Sequence, residues 1–128
     1  MKTVSSAVEF ATLRDKRYPV HKIADRLEPY LRVIVERFSP DKIVLFGSYA
    51  YGQPDEHSDV DLLVVRPGIV SEKQSNLEIR DAFDTVSARL LPFTILSKTP
   101  ERVRERLEAH SPFYEDILGK GLELYAAN

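Results

Sequence analysis

The sequence contains no cysteine. This absence excludes disulfide frameworks, thiolate zinc sites, cysteine-ligated iron–sulfur clusters and cysteine nucleophiles, and it is compatible with a reducing compartment. No uncharged apolar run approaches the ~18–20 residues that a membrane-spanning helix requires. Residues 1–10 carry no apolar run of signal-peptide length. We therefore expect a soluble, cytoplasmic protein that does not interact with a membrane.

An excess of basic residues is also missing. The 128 residues include 18 Lys and Arg against 20 Asp and Glu, a formal net charge of −2. Proteins that wrap extended nucleic acid need positive charge to neutralise phosphates, so we do not expect extended nucleic acid as a partner. A local site for one nucleotide is compatible with this charge. The length is that of one domain on a scale of ~100–200 residues per domain, and we predict a single domain over residues 1–128.

Apolar periodicity predicts alternating helices and strands. Residues 1–19 are expected to form an arm or a short helix, and a helix follows over Val20–Phe38, with a kink or a restart at Pro29. Leu122–Tyr125 is a candidate edge strand. Three further apolar runs predict strands: Lys42–Phe46, Val60–Val65 and Phe93–Leu96. The fold class is therefore α/β (α+β), with a small mixed β-sheet covered by helices.

Start signals predict three helices in the second half of the chain. Ser71, with Gln74 three residues later, matches a capping box, and its helix should carry Leu77 and continue through Val86 and Leu90 to end before Pro92. Two further helices should begin where a capping residue precedes a proline, at Thr99-Pro100 and Ser111-Pro112. A glycine, Gly119 or Gly121, should end the last helix.

The stretch from Leu45 to Leu62 is the most informative about function. Gly47 follows a buried strand, so the chain can turn sharply there and its backbone can approach a ligand closely. Ser48 opens a short helix, and the free amides and positive dipole end of a helix N-terminus attract anions such as phosphate. Asp59 and Asp61 lie two residues apart at the start of the next strand, so both carboxylates point to the same face.

Two carboxylates that lie this close repel each other, and a divalent cation between them removes the repulsion. Mg²⁺ prefers oxygen ligands and usually takes one or two carboxylates together with substrate phosphates. Asp59 and Asp61 are therefore candidate metal ligands, and Gly47 and Ser48 are candidate phosphate-binding residues. An Asp-x-Asp pair alone is most often a solvated surface pair, so this prediction depends on the Gly-Ser turn that precedes it.

The segments Phe46-Gly47-Ser48 and Asp59-Val60-Asp61-Leu62 resemble the signature of the minimal nucleotidyltransferase domains, small relatives of the DNA polymerase β superfamily. The resemblance implies a polymerase β-like fold. It also implies transfer of a nucleoside monophosphate from a nucleoside triphosphate, ATP in the first instance, to an acceptor hydroxyl, with pyrophosphate leaving. The Gly-Ser pair would hold the triphosphate, and the two aspartates would coordinate Mg²⁺ and be the catalytic residues.

The resemblance also implies a partner. The chain looks like the antitoxins that pair with an HEPN-type toxin, some of which adenylylate a tyrosine of that partner. A chain this short is expected to lack a substantial second domain that selects a small acceptor. We therefore expect a partner protein to bring the acceptor or to share in binding it.

Two departures from the family pattern leave an alternative open. Family members usually carry a third carboxylate on the strand before Thr99-Pro100, and this position is Thr94 here, which cannot be an anionic ligand or a base at neutral pH. Tyr49–Gly52 lacks the basic residue with which many members meet phosphate. Arg66 or Lys98 could replace it from strand ends, and the alternative for both is a solvated surface charge. The alternative is a catalytically weak or inactive binding module that masks a partner protein.

Three more residues are secondary candidates. Asp81 and Asp84 could replace the third carboxylate only if the end of their helix faces the site. His57 lies close to Asp59 in sequence and could contact a nucleotide or an acceptor.

Overall fold

The computed structural model describes residues 9–86 and 91–127. After turns in residues 9–18 and a short 3₁₀ helix, Pro19–Ile23, the described chain alternates helices and strands. The elements are α1 (Ala24–Phe38), β1 (Lys42–Phe46), α2 (Ser48–Tyr51), β2 (Val60–Val65), α3 (Glu72–Phe83), β3 (Phe93–Lys98), α4 (Pro100–Glu108), α5 (Pro112–Lys120) and β4 (Leu122–Ala126). No helix in the described ranges is long and apolar enough to cross a membrane.

The four strands form one mixed sheet in the order β3-β2-β1-β4. β1 pairs antiparallel with β2 and with β4, whereas β2 and β3 are parallel and are connected through α3. The predicted small mixed sheet is confirmed, and β4 lies at its edge as expected. β3 continues two residues beyond the predicted end because Ser97 and Lys98 pair with Val64 and Val65 of β2.

Helices cover both faces of the sheet, and each strand alternates between them. One face packs against α1, α3 and the turns of residues 9–18, and the buried strand residues on it include Ile43, Leu45, Leu62 and Ile95. The other face packs against α4 and α5, and its buried strand residues are Val44, Phe46, Leu63 and Val65. Because Asp61 alternates with Leu62, its side chain belongs to the face that α4 and α5 cover.

The helix boundaries agree with most of the start signals. Ser71 Oγ accepts from the Gln74 amide at 3.1 Å, and Thr99 Oγ1 accepts from the Arg102 amide at 3.0 Å. α5 begins at Pro112 as predicted, but Ser111 makes no side-chain capping bond. Its last residue is Lys120, so of the two glycines predicted to end it, Gly121 follows the helix and Gly119 lies within it.

Three expectations for the helices need correction. The long first helix begins at Ala24, after the 3₁₀ turn, and it continues through Pro29 without a restart. α3 ends at Phe83, and of the residues expected to extend it, Val86 is not helical while Leu90 lies outside the described residues. Leu77 is 48% exposed, so it lies on the solvent side of α3 and not in the core.

Two glycines at the end of α5 offer a matched test of how this helix packs on the sheet. A Cβ at Gly121 would overlap the Ile117 carbonyl oxygen and would lie 2.8 Å from Val44 Cγ1, whereas a Cβ at Gly119 would meet nothing within 4 Å. We expect Gly121→Ala to lower the free energy of unfolding by about 1–3 kcal/mol through overpacking. Gly119→Ala should raise it by about 0.5–1 kcal/mol, because alanine is the better helix former. Urea denaturation measures both changes, and equal effects would contradict the close packing of α5 on β1.

Candidate active site

Gly47 and Asp61 are brought into contact where β1 ends and β2 begins. Phe46, the last residue of β1, pairs with Asp61, and Gly47 follows at φ +77°, a conformation that favours glycine. A Cβ on Gly47 would overlap Asp61 Oδ2. Asp59 lies two residues before Asp61, on the same face of the chain. The two aspartates predicted as metal ligands therefore adjoin the glycine predicted to approach a phosphate.

The short helix α2 begins directly at this contact. Its amides bond back to the turn, with Ala50 N donating to Gly47 O at 3.0 Å. Tyr49 and Ala50 are buried and fix the helix against the core. A Cβ on Gly52 would lie 2.9 Å from Ser48 Cα, so this glycine lets the helix end in a tight turn. The first amides of a helix have no acceptor within it, so those at Ser48 and Tyr49 are suited to bind an anion.

Thr94 stands beside both aspartates. It pairs with Asp61 across the parallel strands, and its hydroxyl donates to Asp59 Oδ2 at 3.1 Å. Burial raises the pKa of the half-buried Asp61 carboxyl above its ordinary value of 3.8, hydrogen bonding by Thr94 opposes the rise, and the charge of Asp59 adds to it. The position at which the resemblance implies a third carboxylate thus lies next to the other two, occupied by a neutral donor.

The polar loop that leads into Asp59 has its own hydrogen bonds. Asp55 N donates to Ser58 Oγ at 2.8 Å, and Ser58 N donates to the Asp55 carbonyl at 3.1 Å. His57 N donates to Asp55 Oδ1 at 2.8 Å, while the exposed His57 ring lies 3.4 Å from the Glu56 carboxylate. The loop therefore directs this imidazole to a glutamate neighbour and to solvent.

The residues present fit a cation that shares its ligands with a substrate. Within residues 9–86 and 91–127, no three His, Asp or Glu side chains are grouped so that they could hold a metal ion by themselves. Asp59 and Asp61 supply two carboxylates on one face, and Mg²⁺ commonly takes one or two carboxylates and completes its coordination with water and phosphate oxygens. The contact of Gly47 with Asp61 leaves no side chain between the carboxylate and the start of α2.

A comparison with known families identifies the family of this chain. The family model for the nucleotidyltransferase domain matches residues 27–121, about three quarters of the chain. The chain belongs to the nucleotidyltransferase family. The matched residues contain β1, α2 and β2, so the resemblance noted from Phe46-Gly47-Ser48 and Asp59-Val60-Asp61-Leu62 and the polymerase β-like fold that it implied are confirmed.

One curated relative extends the comparison. A protein of Methanocaldococcus jannaschii, provisionally assigned as a protein adenylyltransferase, is 38% identical over 61 residues. The aligned segment covers 46% of this chain and 62% of the relative, so the chain matches less than two thirds of that protein's length.

The two basic residues considered as possible phosphate ligands do not lie at the candidate site. Arg66 follows the far end of β2, five residues beyond Asp61 and roughly 16 Å away at ~3.3 Å per residue. Lys98 ends β3, which runs parallel to β2, so it lies at the same far end. Arg66 pairs with Glu78 at 3.1 Å, and Lys98 pairs with Glu72 at 2.6 Å. Both cations thus stabilise the attachment of α3 and are not available to the aspartates.

Asp81 and Asp84 do not complete the carboxylate pair. The α3 residue Ile79 packs on the sheet face that carries Leu62, which is opposite to the face of Asp61. Asp81 and Asp84 are exposed near the end of that helix. The crossover brings the end of α3 to the start of β3, but on the wrong side of the sheet.

Two residues near the site were missed from the sequence. Arg80 Nη2 donates to the Phe93 carbonyl at 3.0 Å, which places a cation at the start of β3 next to Thr94. Phe113, in the first turn of α5, contacts Phe46 with ring centroids 6.0 Å apart. Both come close only through the crossover connections, for which the local sequence has no signal.

Gly47 can be tested against another glycine with a positive φ. Gly68 has φ +80° and nothing within 4 Å of an added Cβ, so Gly68→Ala adds backbone strain alone, about 1–2 kcal/mol. Gly47→Ala adds strain at a positive φ and also displaces Asp61. We expect Gly47→Ala to weaken binding of a nucleoside triphosphate with Mg²⁺ at least tenfold, and Gly68→Ala to leave it unchanged. Isothermal titration calorimetry measures both affinities, and equal binding by the two variants would contradict the role of the Gly47 contact.

The raised pKa of Asp61 predicts that this carboxylate destabilises the metal-free protein. The native state binds the Asp61 proton more tightly than the unfolded chain does, so the penalty is present at neutral pH and disappears as the pH falls through the raised pKa. Without divalent cations, Asp61→Asn should raise the melting temperature by roughly 2–4 °C at pH 7. Thermal melts between pH 7 and pH 3 should show this difference shrinking towards low pH. A difference that grows on acidification would show that the pKa is lowered.

Proposed function

We propose that this protein is a Mg²⁺-dependent nucleotidyltransferase that transfers AMP from ATP to an acceptor hydroxyl. The observation that carries the proposal is the contact between Gly47 and Asp61, with Asp59 on the same face and the start of α2 alongside. This arrangement sets an anion-binding turn beside two carboxylates. Membership of the nucleotidyltransferase family supports the same class of reaction.

Each residue of the site has a role that its position supports. The Ser48 amide and hydroxyl, at the start of α2, bind phosphate oxygens, and Gly47 lets the backbone approach them. Asp59 and Asp61 would hold Mg²⁺, and Thr94 orients the Asp59 carboxylate through its 3.1 Å hydrogen bond. When bound, Mg²⁺ supplies positive charge that neutralises the phosphates and the developing charge on the leaving group.

The reaction forms one bond and breaks one. The acceptor oxygen bonds to the α-phosphorus of ATP, the bond from that phosphorus to the bridging oxygen breaks, and pyrophosphate leaves with that oxygen. The hydroxyl proton leaves as well. Thr94 is neutral and cannot accept it, so this proton passes to solvent or to a base that comes with the acceptor.

We further propose that the acceptor belongs to a partner protein. The resemblance to the antitoxins of HEPN-type toxin pairs favours a tyrosine hydroxyl of such a partner, and the provisional assignment of the Methanocaldococcus jannaschii relative as a protein adenylyltransferase agrees with a protein acceptor. The cytoplasmic location expected from the sequence is part of the same proposal.

Transfer of label tests the proposal directly. The purified chain is incubated with Mg²⁺, the product of the neighbouring gene and ATP labelled at either the α- or the γ-phosphate. We expect the partner to gain the α label and not the γ label. Asp59→Asn and Asp61→Asn should lower the initial rate by about 100-fold or more, since each removes a charged ligand worth several kcal/mol. Asp116→Asn, which removes only an exposed carboxylate paired with Lys120 at 3.2 Å, is the matched control.

Thr94 supports a second candidate function, a binding module that keeps the fold and masks a partner with little catalysis. The same experiment separates the two. No label on any partner, together with undiminished partner binding by Asp61→Asn, would support the binding module. Transfer of the γ label would overturn nucleotidyl transfer in favour of phosphoryl transfer, and full activity of Asp59→Asn would overturn the assignment of the site.

A further inference from the structure

One exposed aromatic ring lies on the same side of the sheet as the aspartates. In the described part of the chain, the large exposed hydrophobic side chains are Tyr51, Val70, Leu77 and Phe113. Phe113 is 51% exposed and belongs to the first turn of α5, which packs on the face that carries Asp61. An exposed Phe is not unusual by itself, so its neighbours decide what it can do.

The Phe113 ring is held by two perpendicular ring contacts. Its centroid lies 6.0 Å from that of Phe46 with an interplanar angle of 87°, and 5.4 Å from that of Tyr114 with an angle of 90°. Phe46 and Tyr114 are both buried, so they fix the ring from the core side. About half of the Phe113 side chain remains accessible. Because the ring is already held in one orientation, a ligand that stacks on it loses little conformational entropy in ordering it.

Phe46 connects this ring to the aspartates. Phe46 and Asp61 are directly paired across the antiparallel strands, and side chains so paired share a face with Cβ atoms about 4.5–5.5 Å apart. Phe46 is therefore a neighbour of both the Phe113 ring and the Asp61 carboxylate. A nucleotide whose phosphates lie at Asp61 and the start of α2 has its base one ribose away, within the reach of this ring.

We propose that Phe113 is the platform on which the nucleobase of the substrate stacks, an inference that rests on the proposed nucleotidyltransferase function. Arg66 and Lys98 lie at the far end of the strands, so the site takes little of its affinity from basic side chains at those positions. Stacking on an aromatic ring supplies affinity that does not need charge, and every base offers a π-face. Phe113 thus makes the site bind nucleotides more tightly than bare polyphosphate, but it gives little preference for one base over another.

The chain contains no tryptophan, which makes the stack directly observable. Phe113→Trp introduces a single tryptophan at the platform. With Mg²⁺ present, ATP and GTP should quench its emission with affinities within about threefold of each other, and tripolyphosphate should not quench it. By calorimetry, Phe113→Ala should bind ATP about tenfold more weakly than the unchanged chain and tripolyphosphate equally well. Leu77→Ala, which removes an exposed side chain from the opposite helix layer, is the matched control.

The outcomes separate this inference from the proposed function. Phe113→Ala could bind ATP as tightly as the unchanged chain while that chain still transfers the α label. In that case the assignment of Phe113 as the stacking platform is wrong, and the proposed nucleotidyltransferase function is unaffected. A variant that binds ATP normally but transfers label slowly at saturating ATP would also overturn the platform, because Phe113 would then contact the acceptor. If the unchanged chain binds no nucleoside triphosphate, the proposed function fails and the platform fails with it.

Discussion

The contact between the Gly47 backbone and the Asp61 carboxylate is the constraint on which the candidate site depends. It exists because β1 and β2 pair with Phe46 opposite Asp61 and because the chain turns immediately afterwards at φ +77°. Burial of Tyr49 and Ala50 then directs α2 away from the same point. A slip of the strand register by one residue would move Asp61 to the other face of the sheet and remove the site. The site therefore forms only in the strand register that pairs Phe46 with Asp61.

This arrangement lowers the stability of the folded protein, and packing of the core has to offset that loss. Asp61 is half-buried beside Asp59, and both burial and the neighbouring charge raise its pKa. Thr94 relieves part of this by hydrogen bonding, whereas a third carboxylate at that position would add another negative charge. The two apolar layers on either face of the sheet supply the stabilisation that allows such a pair to exist. The pair lowers stability in the absence of a cation, as is common for functional sites.

The sequence was sufficient for features that depend on neighbours in the chain. Strand alternation placed Asp59 and Asp61 on one face, and local side chains such as Ser71 and Thr99 marked the starts of helices. The sequence was insufficient for contacts that depend on the three-dimensional path of the chain. Arg66 and Lys98 were possible phosphate ligands at strand ends, but β2 and β3 are parallel, so both residues lie at the end of the sheet away from Asp59. Phe113 is far from Phe46 in sequence and contacts it only because α5 packs across β1.

The division of the sheet into two faces decides how a substrate can enter. The face packed against α1 and α3 carries the larger buried cluster, and its strand residues Ile43, Leu45 and Leu62 are fully buried. On the other face, α4 and α5 bury Leu63 and Val65 but leave Asp61 and Thr94 partly accessible at the end of the sheet. Under the proposed function, a nucleotide and an acceptor would therefore approach on this second face. Because Thr94 offers no base there, an acceptor that arrives with its own proton acceptor would be favoured over a simple alcohol, and a protein surface can meet that requirement.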